Sequence, residues 1–286
     1  MGEPRQRKRG TAWGGWLAVA VVGLSVAVSR EARAQGASPN AGALTLTGSV
    51  DTPSVFIFRG IVQEDNPRLT MSPAIDIVAA LGRGFTAKVG VWHSLHTGDS
   101  GSRGPTDRLH YRADHYASLG VPLAGGLSID TTYAAYTSPN FLFNTVQELS
   151  FKVASKSRYA PHALVAFELS GAADQIDRGT GSYVEVGLRP AFRLGPTLTL
   201  AVPVRLGLSA SHYYEDFGRN PTFGFWSAGG LMTYPVAGPG RFGAWDVRGG
   251  ADFYAFGDTT KGYNADANGK VRASRIVARV GIGLVY

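Results

Sequence analysis

Apolar side chains recur at every second position through most of this chain. Leu198, Leu200, Val202, Val204, Leu206 and Leu208 alternate with Thr199, Ala201, Pro203, Arg205, Gly207 and Ser209. Near the end, Ile276, Ala278, Val280, Ile282, Leu284 and Tyr286 alternate with Arg275, Val277, Arg279, Gly281, Gly283 and Val285. A repeat of two places successive side chains on opposite faces of a β-strand. One face here is continuously apolar, and the other is small, polar or charged. The repeat predicts about twelve strands, at 43–59, 70–80, 85–95, 114–122, 126–137, 145–155, 161–171, 182–193, 197–210, 222–235, 242–256 and 272–286. The tenth, around Phe223 to Tyr234, shows no clear two-faced pattern.

A soluble β-sandwich alternates too, so length and connections decide. These runs reach about ten residues or more, enough to cross a bilayer at a tilt, against about five or six in soluble sheets. The connections 81–84, 123–125, 156–160, 194–196 and 237–241 are tight. Those at 60–69, 96–113, 172–181, 211–221 and 257–271 are long and polar, and only 138–144 is brief among them. The prediction is an all-β chain: a closed, transmembrane, antiparallel up-and-down β-barrel with tight periplasmic turns and long outer loops. Its outward bands should end in aromatics, with Tyr286, Trp245 and Phe192 near the periplasmic rim and Tyr133 and Phe253 near the outer one.

Composition agrees. Charged residues are 17% of the chain, below the roughly 25% of an average soluble domain. With no cysteine, disulfides and thiolate metal sites are excluded. The net charge of +7 suggests nucleic acid, but six cations against two acids within residues 1–34 account for +4 of it. The rest holds no basic run, so no nucleic-acid partner is expected.

Residues 1–34 read as a cleaved signal peptide. Arg5 to Arg9 is basic, Trp16 to Val28 is apolar and too short to span a bilayer, and Ala32-Arg33-Ala34 sets cleavage before Gln35. Residues 35–42 then form a short periplasmic segment and 43–286 the barrel, in the bacterial outer membrane.

Parity places Arg59, Asp76, Lys88, Asp130, Glu148, Lys152, Glu168, Glu185, Arg189, Arg205, Asp246, Arg248, Asp252, Arg275 and Arg279 on the inner face as candidate pore-lining residues. Arg59 falls near the top of the first strand. Trp92, Tyr116, Tyr136, Tyr183 and Tyr254 share that inner face. Acids and bases are nearly balanced, which fits an open pore with a transverse field or a lumen closed by its own pairs.

Catalytic chemistry finds little support. No His-x-Ser pair shares a strand face, and Asp114 and His115 are adjacent, so they point apart. His93 and His96 are three apart in an extended run and diverge, so they make no metal pair. The segment 264–269 resembles the front of a calcium loop, but Arg275 stands where the bidentate glutamate belongs. No enzyme activity, cofactor or metal is expected.

The segment Ser54-Val55-Phe56-Ile57-Phe58-Arg59-Gly60-Ile61-Val62-Gln63 resembles the "YVFRGISQ" opening of TorF-type porins. Pro73-Ala74, the run from Gly84 to Trp92, Asp114-His115-Tyr116, Thr131-Thr132-Tyr133, Tyr136 and Gln147-Glu148-Leu149 follow in a similar order. Pro53 departs from the pattern, where the family has a polar residue, and the outer loops are longer. The resemblance covers roughly residues 43–155 and implies a channel without identifying its solute. Ile282, Leu284 and Tyr286 resemble the C-terminal signal read by the barrel-assembly machinery. The expectation is thus a porin-like channel in outer-membrane lipid, passing small polar solutes by diffusion. A closed structural or loop-binding barrel is the alternative.

Overall fold

The computed structural model describes residues 42–64, 67–97, 109–171, 179–216, 218–236, 240–265 and 269–286. The expected signal segment, its cleavage site at Ala32, Ala34 and Gln35, and nearly all of 35–42 lie outside these residues.

The alternating runs form strands β1 (Leu44–Pro53), β4 (Thr70–Gly82), β5 (Phe85–His96), β6 (His110–Pro122), β7 (Leu127–Thr137), β8 (Val146–Ser155) and β9 (His162–Ser170). The second half adds β10 (Ser182–Leu188), β11 (Ala191–Leu194), β12 (Leu198–Ala201), β13 (Val204–Ser211), β14 (Phe223–Val236), β15 (Ala244–Phe256) and β16 (Ser274–Val285). Two short strands, β2 (Ile57–Phe58) and β3 (Ile61–Val62), pair only with each other. A one-turn helix, α1 (Asp258–Tyr263), follows β15.

Prolines explain why twelve predicted runs become more strands. Proline has no N–H to give to a ladder. Pro190 divides β10 from β11, and Pro203 divides β12 from β13. Each proline carbonyl still accepts a neighbour's N–H: Val202 bonds to Pro190 and Gly229 to Pro203, both at 2.9 Å. The wall therefore runs on through both breaks, and the barrel has twelve staves.

Every neighbouring stave is antiparallel, and the ring closes without an edge. β1 pairs with β4 on one side and β16 on the other, from Thr47 opposite Val285 to Pro53 opposite Arg279. Leu46 and Tyr286 exchange both backbone bonds at 2.8 Å. Closure matters because hydrocarbon supplies no water to unpaired N–H and C=O groups, each of which would cost several kcal/mol there.

The two faces separate as the repeat predicts. On β16, Ile276 is 68% and Val280 61% exposed on the outside, while Val277 between them is buried inside. The tenth stave, unreadable in sequence, is two-faced after all. Trp226, Met232, Tyr234 and Val236 point out; Phe225, Ser227 and Leu231 point in. Its pattern was hidden by Gly224, Gly229 and Gly230 and by an aromatic on each face.

Exposed aromatics gather at two levels. Phe85, Phe192, Tyr234, Phe242 and Tyr286 lie at the short-turn end, and Tyr133, Phe167, Trp226 and Phe253 lie toward the long-loop end. Trp226 packs on Phe253 with centroids 5.4 Å apart. Between these levels the outside is aliphatic, with Ile75, Ile77, Val89, Leu119, Val186 and Val280 all exposed.

Candidate functional site

The first stave ends earlier than the sequence suggests. β1 stops at Pro53, and residues 57–62 leave the wall as a two-stranded hairpin. Its turn is Arg59-Gly60, with φ +47° and +82°. Positive φ at both central residues is what a two-residue type I′ hairpin turn demands. A Cβ on Gly60 would also lie 2.6 Å from Cδ1 of Phe225, so glycine is required twice over. Arg59 is thus not an inward residue near the top of a strand; it is the tip of an inserted hairpin.

The hairpin crosses the lumen near the long-loop end. Arg59 forms a bidentate pair with Glu148 of β8, at 2.6 Å (Nη1–Oε2) and 2.8 Å (Nη2–Oε1), and both side chains are almost wholly buried. Its guanidinium carbon lies 4.3 Å from the ring centre of Tyr183, on β10. Phe58 packs edge-on against Tyr136 of β7 and lies 3.9 Å under the guanidinium carbon of Arg112, on β6. Phe56 packs at a tilt against Trp92 of β5, with ring centres 4.9 Å apart.

Two outer loops hold the hairpin from above. The Tyr214 hydroxyl donates to the Arg59 carbonyl at 2.8 Å. Asn264, just after α1, accepts from the Val62 N–H at 2.7 Å and donates to the Gly60 carbonyl at 2.8 Å. Beyond β3, Gln63 accepts from the Tyr111 hydroxyl at 2.9 Å. Glu64 accepts from the Phe56 N–H and from Thr70, and its Oε2 lies 2.5 Å from Nδ1 of His96.

Charge in this plug is matched. Arg112 pairs with Asp114 at 2.6 Å, and Tyr136 donates to Glu148 at 2.8 Å. Burial works against the Arg59 guanidinium charge, but Glu148, Tyr213 and Tyr136 together more than offset it and hold its pKa well above the ordinary arginine value. Burial likewise raises the pKa of the phenols of Tyr213 and Tyr214. Neither the cation nor the phenols lose a proton in any physiological range.

Toward the short-turn end the lumen is wetter. There Lys88, Asp130, Lys152, Arg189, Asp246 and Arg248 are partly exposed; Glu185, Arg205 and Arg279 in mid-wall and Arg275 at the long-loop end are partly exposed too, whereas Asp76, Glu148, Glu168 and Asp252 are buried. Arg248 pairs with Asp51 at 2.9 Å and Arg279 with Asp252 at 3.0 Å. Glu185 accepts from Tyr183 at 2.8 Å and lies 3.3 Å from His162. Arg205 donates to the Tyr254 hydroxyl at 2.8 Å, and Tyr116 donates to Asp76 at 2.6 Å. Lys152 is in electrostatic reach of Asp130, Glu185, Lys88 and Arg189. Glu168 accepts from the Gly181 N–H at 2.6 Å, and Arg275 stands opposite Tyr254 in the ladder. The inner face is thus a dry plug over a charged chamber.

The sequence reading missed the clasp residues Gln63, Glu64, Tyr111, Arg112, Tyr213, Tyr214 and Asn264. One signal was present: Ile57-Phe58 and Ile61-Val62 flank a dipeptide ending in glycine, which is a hairpin signature. Asn264, read as the start of a degenerate calcium loop, serves the hairpin instead; residues 266–268 lie outside the described ones.

The chain matches no protein-family model and no curated protein. Solved structures similar to it include the NanC porin (TM-score 0.43, 9% identity, covering 85% of this chain and 99% of that one). The KdgM porin in complex with disordered oligogalacturonate is also similar (0.41, 7%, 84% and 98%). So is the translocator domain of the autotransporter NalP from Neisseria meningitidis (0.39, 11%, 86% and 89%). The barrel itself is established by the strand pairing of this chain.

Proposed function

We propose that the chain is an outer-membrane channel of the porin kind whose outer mouth is closed by the β2–β3 hairpin. Small polar solutes diffuse through when the hairpin leaves its seat. The apolar outer band between two aromatic levels supports a lipid surround. Short turns and both barrel ends then face the periplasm, and the long loops face outward. Ile282, Leu284 and Tyr286 point outward along the closing strand, where assembly machinery would meet them. The resemblance of 54–63 to TorF-type porins supports the same reading.

One observation carries the proposal: below the buried plug, inward charged residues toward the short-turn end stay partly exposed. A part-exposed chamber lies below the plug, which hangs from the wall by side-chain contacts rather than by a ladder. Moving it breaks no stave pairing. The part-exposed chamber residues Lys88, Asp130, Lys152, Arg189, Asp246 and Arg248 would line the path and set its ion preference.

Swelling of proteoliposomes tests this. Replacing residues 57–62 by glycine and serine should make the vesicles permeable to small sugars, with the native chain much slower. Equal impermeability of both would favour the closed barrel, a reading that the dry plug also supports.

A further inference from the structure

We infer that His93 and His110 form a two-imidazole site for a divalent transition metal on the outer surface, at the long-loop rim. The two lie on neighbouring strands, β5 and β6, with Nδ1 of His93 3.0 Å from Nε2 of His110 and ring centres 5.0 Å apart. His93 shares the outward parity of Val89, which is 55% exposed, and its neighbours Ser94 and His96 are the buried, inward ones nearby. The sequence spacing of His93 and His96 pointed to no metal pair. Strand register supplies a different partner, because a bulge at Ser94/Leu95 brings His110 opposite Leu95.

The separation suits a shared metal. At the usual metal–nitrogen distance of about 2.0–2.1 Å, two cis ligands at right angles sit about 2.9 Å apart and two tetrahedral ligands about 3.3 Å apart. The observed distance falls between these. Without metal, one neutral ring donates to the other. With metal, His93 carries its proton on Nε2 and both facing nitrogens present lone pairs. Imidazole favours copper, nickel and zinc over magnesium or calcium. Among the described residues no group of three or more His, Cys, Asp or Glu side chains has metal-binding geometry, so the inference rests on these two imidazoles as ligands.

Position makes the site reachable. Tyr133, at the outer aromatic level, pairs with Ala117, and His93 pairs with Ala113 four residues further out. At about 3.4 Å per residue and a tilt of about 40°, the imidazoles stand about 10 Å above that level, in the headgroup region. Both are half-buried rather than sealed. A bound metal would staple β5 to β6 at the base of the loop joining them.

The test is copper(II) titration of the untagged, detergent-solubilised protein, read by electron paramagnetic resonance. One equivalent with the hyperfine signature of two imidazole nitrogens is expected. Loss of even an outer-shell partner commonly weakens a metal site about 10–100-fold, so His93→Ala and His110→Ala should each weaken it at least tenfold. His162→Ala, on the inner face, should leave it intact. Heat-modifiable gel migration confirms that each variant is folded. A native protein that binds copper no more tightly than His93→Ala, or a two-nitrogen signature that survives both variants, would overturn the inference.

Discussion

Gly60 and Arg59 carry most of what distinguishes this barrel from a plain tube. Gly60→Ala would put a side chain at φ +82° and drive a Cβ into the Phe225 ring. The left-handed backbone alone costs about 1–2 kcal/mol, so the hairpin should seat poorly while the staves stay paired. Proteoliposome leak should rise, and the unfolding temperature should change little. Arg59→Ala acts differently, leaving Glu148 buried without its cation. Breaking such a pair costs about 3–5 kcal/mol. Glu148→Gln in the same background should recover part of it, because a neutral amide is easier to bury unpaired. Thermal unfolding of the two single variants and the double variant measures that coupling.

The staves were readable because their repeat of two is a local consequence of having lipid-like and water-like sides. Leu198 to Leu208 needed no tertiary information. The plug was not readable in the same way. Phe56, Phe58 and Val62 look like further strand residues, and only the turn at Arg59-Gly60 and the stop at Pro53 hint otherwise. What seats them are single side chains from β5, β6, β7, β8, β10, β14 and two loops, at the extreme 204 positions away in sequence. The charged chamber residues were found by parity, but their partners were not, since Arg248–Asp51 and Arg279–Asp252 depend on which staves adjoin. The hairpin should be separable from the barrel. A chain with 57–62 replaced by glycine and serine should still close its ring, with the compact, heat-modifiable gel migration of the native protein. Loss of that migration would mean the plug is needed to build the wall.

The barrel as a body is defined by its outside. Val280 and Asp252 lie on neighbouring staves but on opposite faces. If lipid surrounds the aliphatic band, Val280→Arg should cost about 2–4 kcal/mol, as for arginine near a bilayer midplane. The same substitution in a water-exposed wall should cost under about 0.5 kcal/mol. Urea unfolding from lipid vesicles separates these. The measurement that bears most directly on the gated-channel account is single-channel conductance in a planar bilayer, native protein against Arg59→Ala. The account predicts a native channel that is mostly shut with brief openings, and a variant open for much longer at similar unit current. Steady native current that Arg59→Ala leaves unchanged would contradict it, and so would silence from both proteins in the folded state.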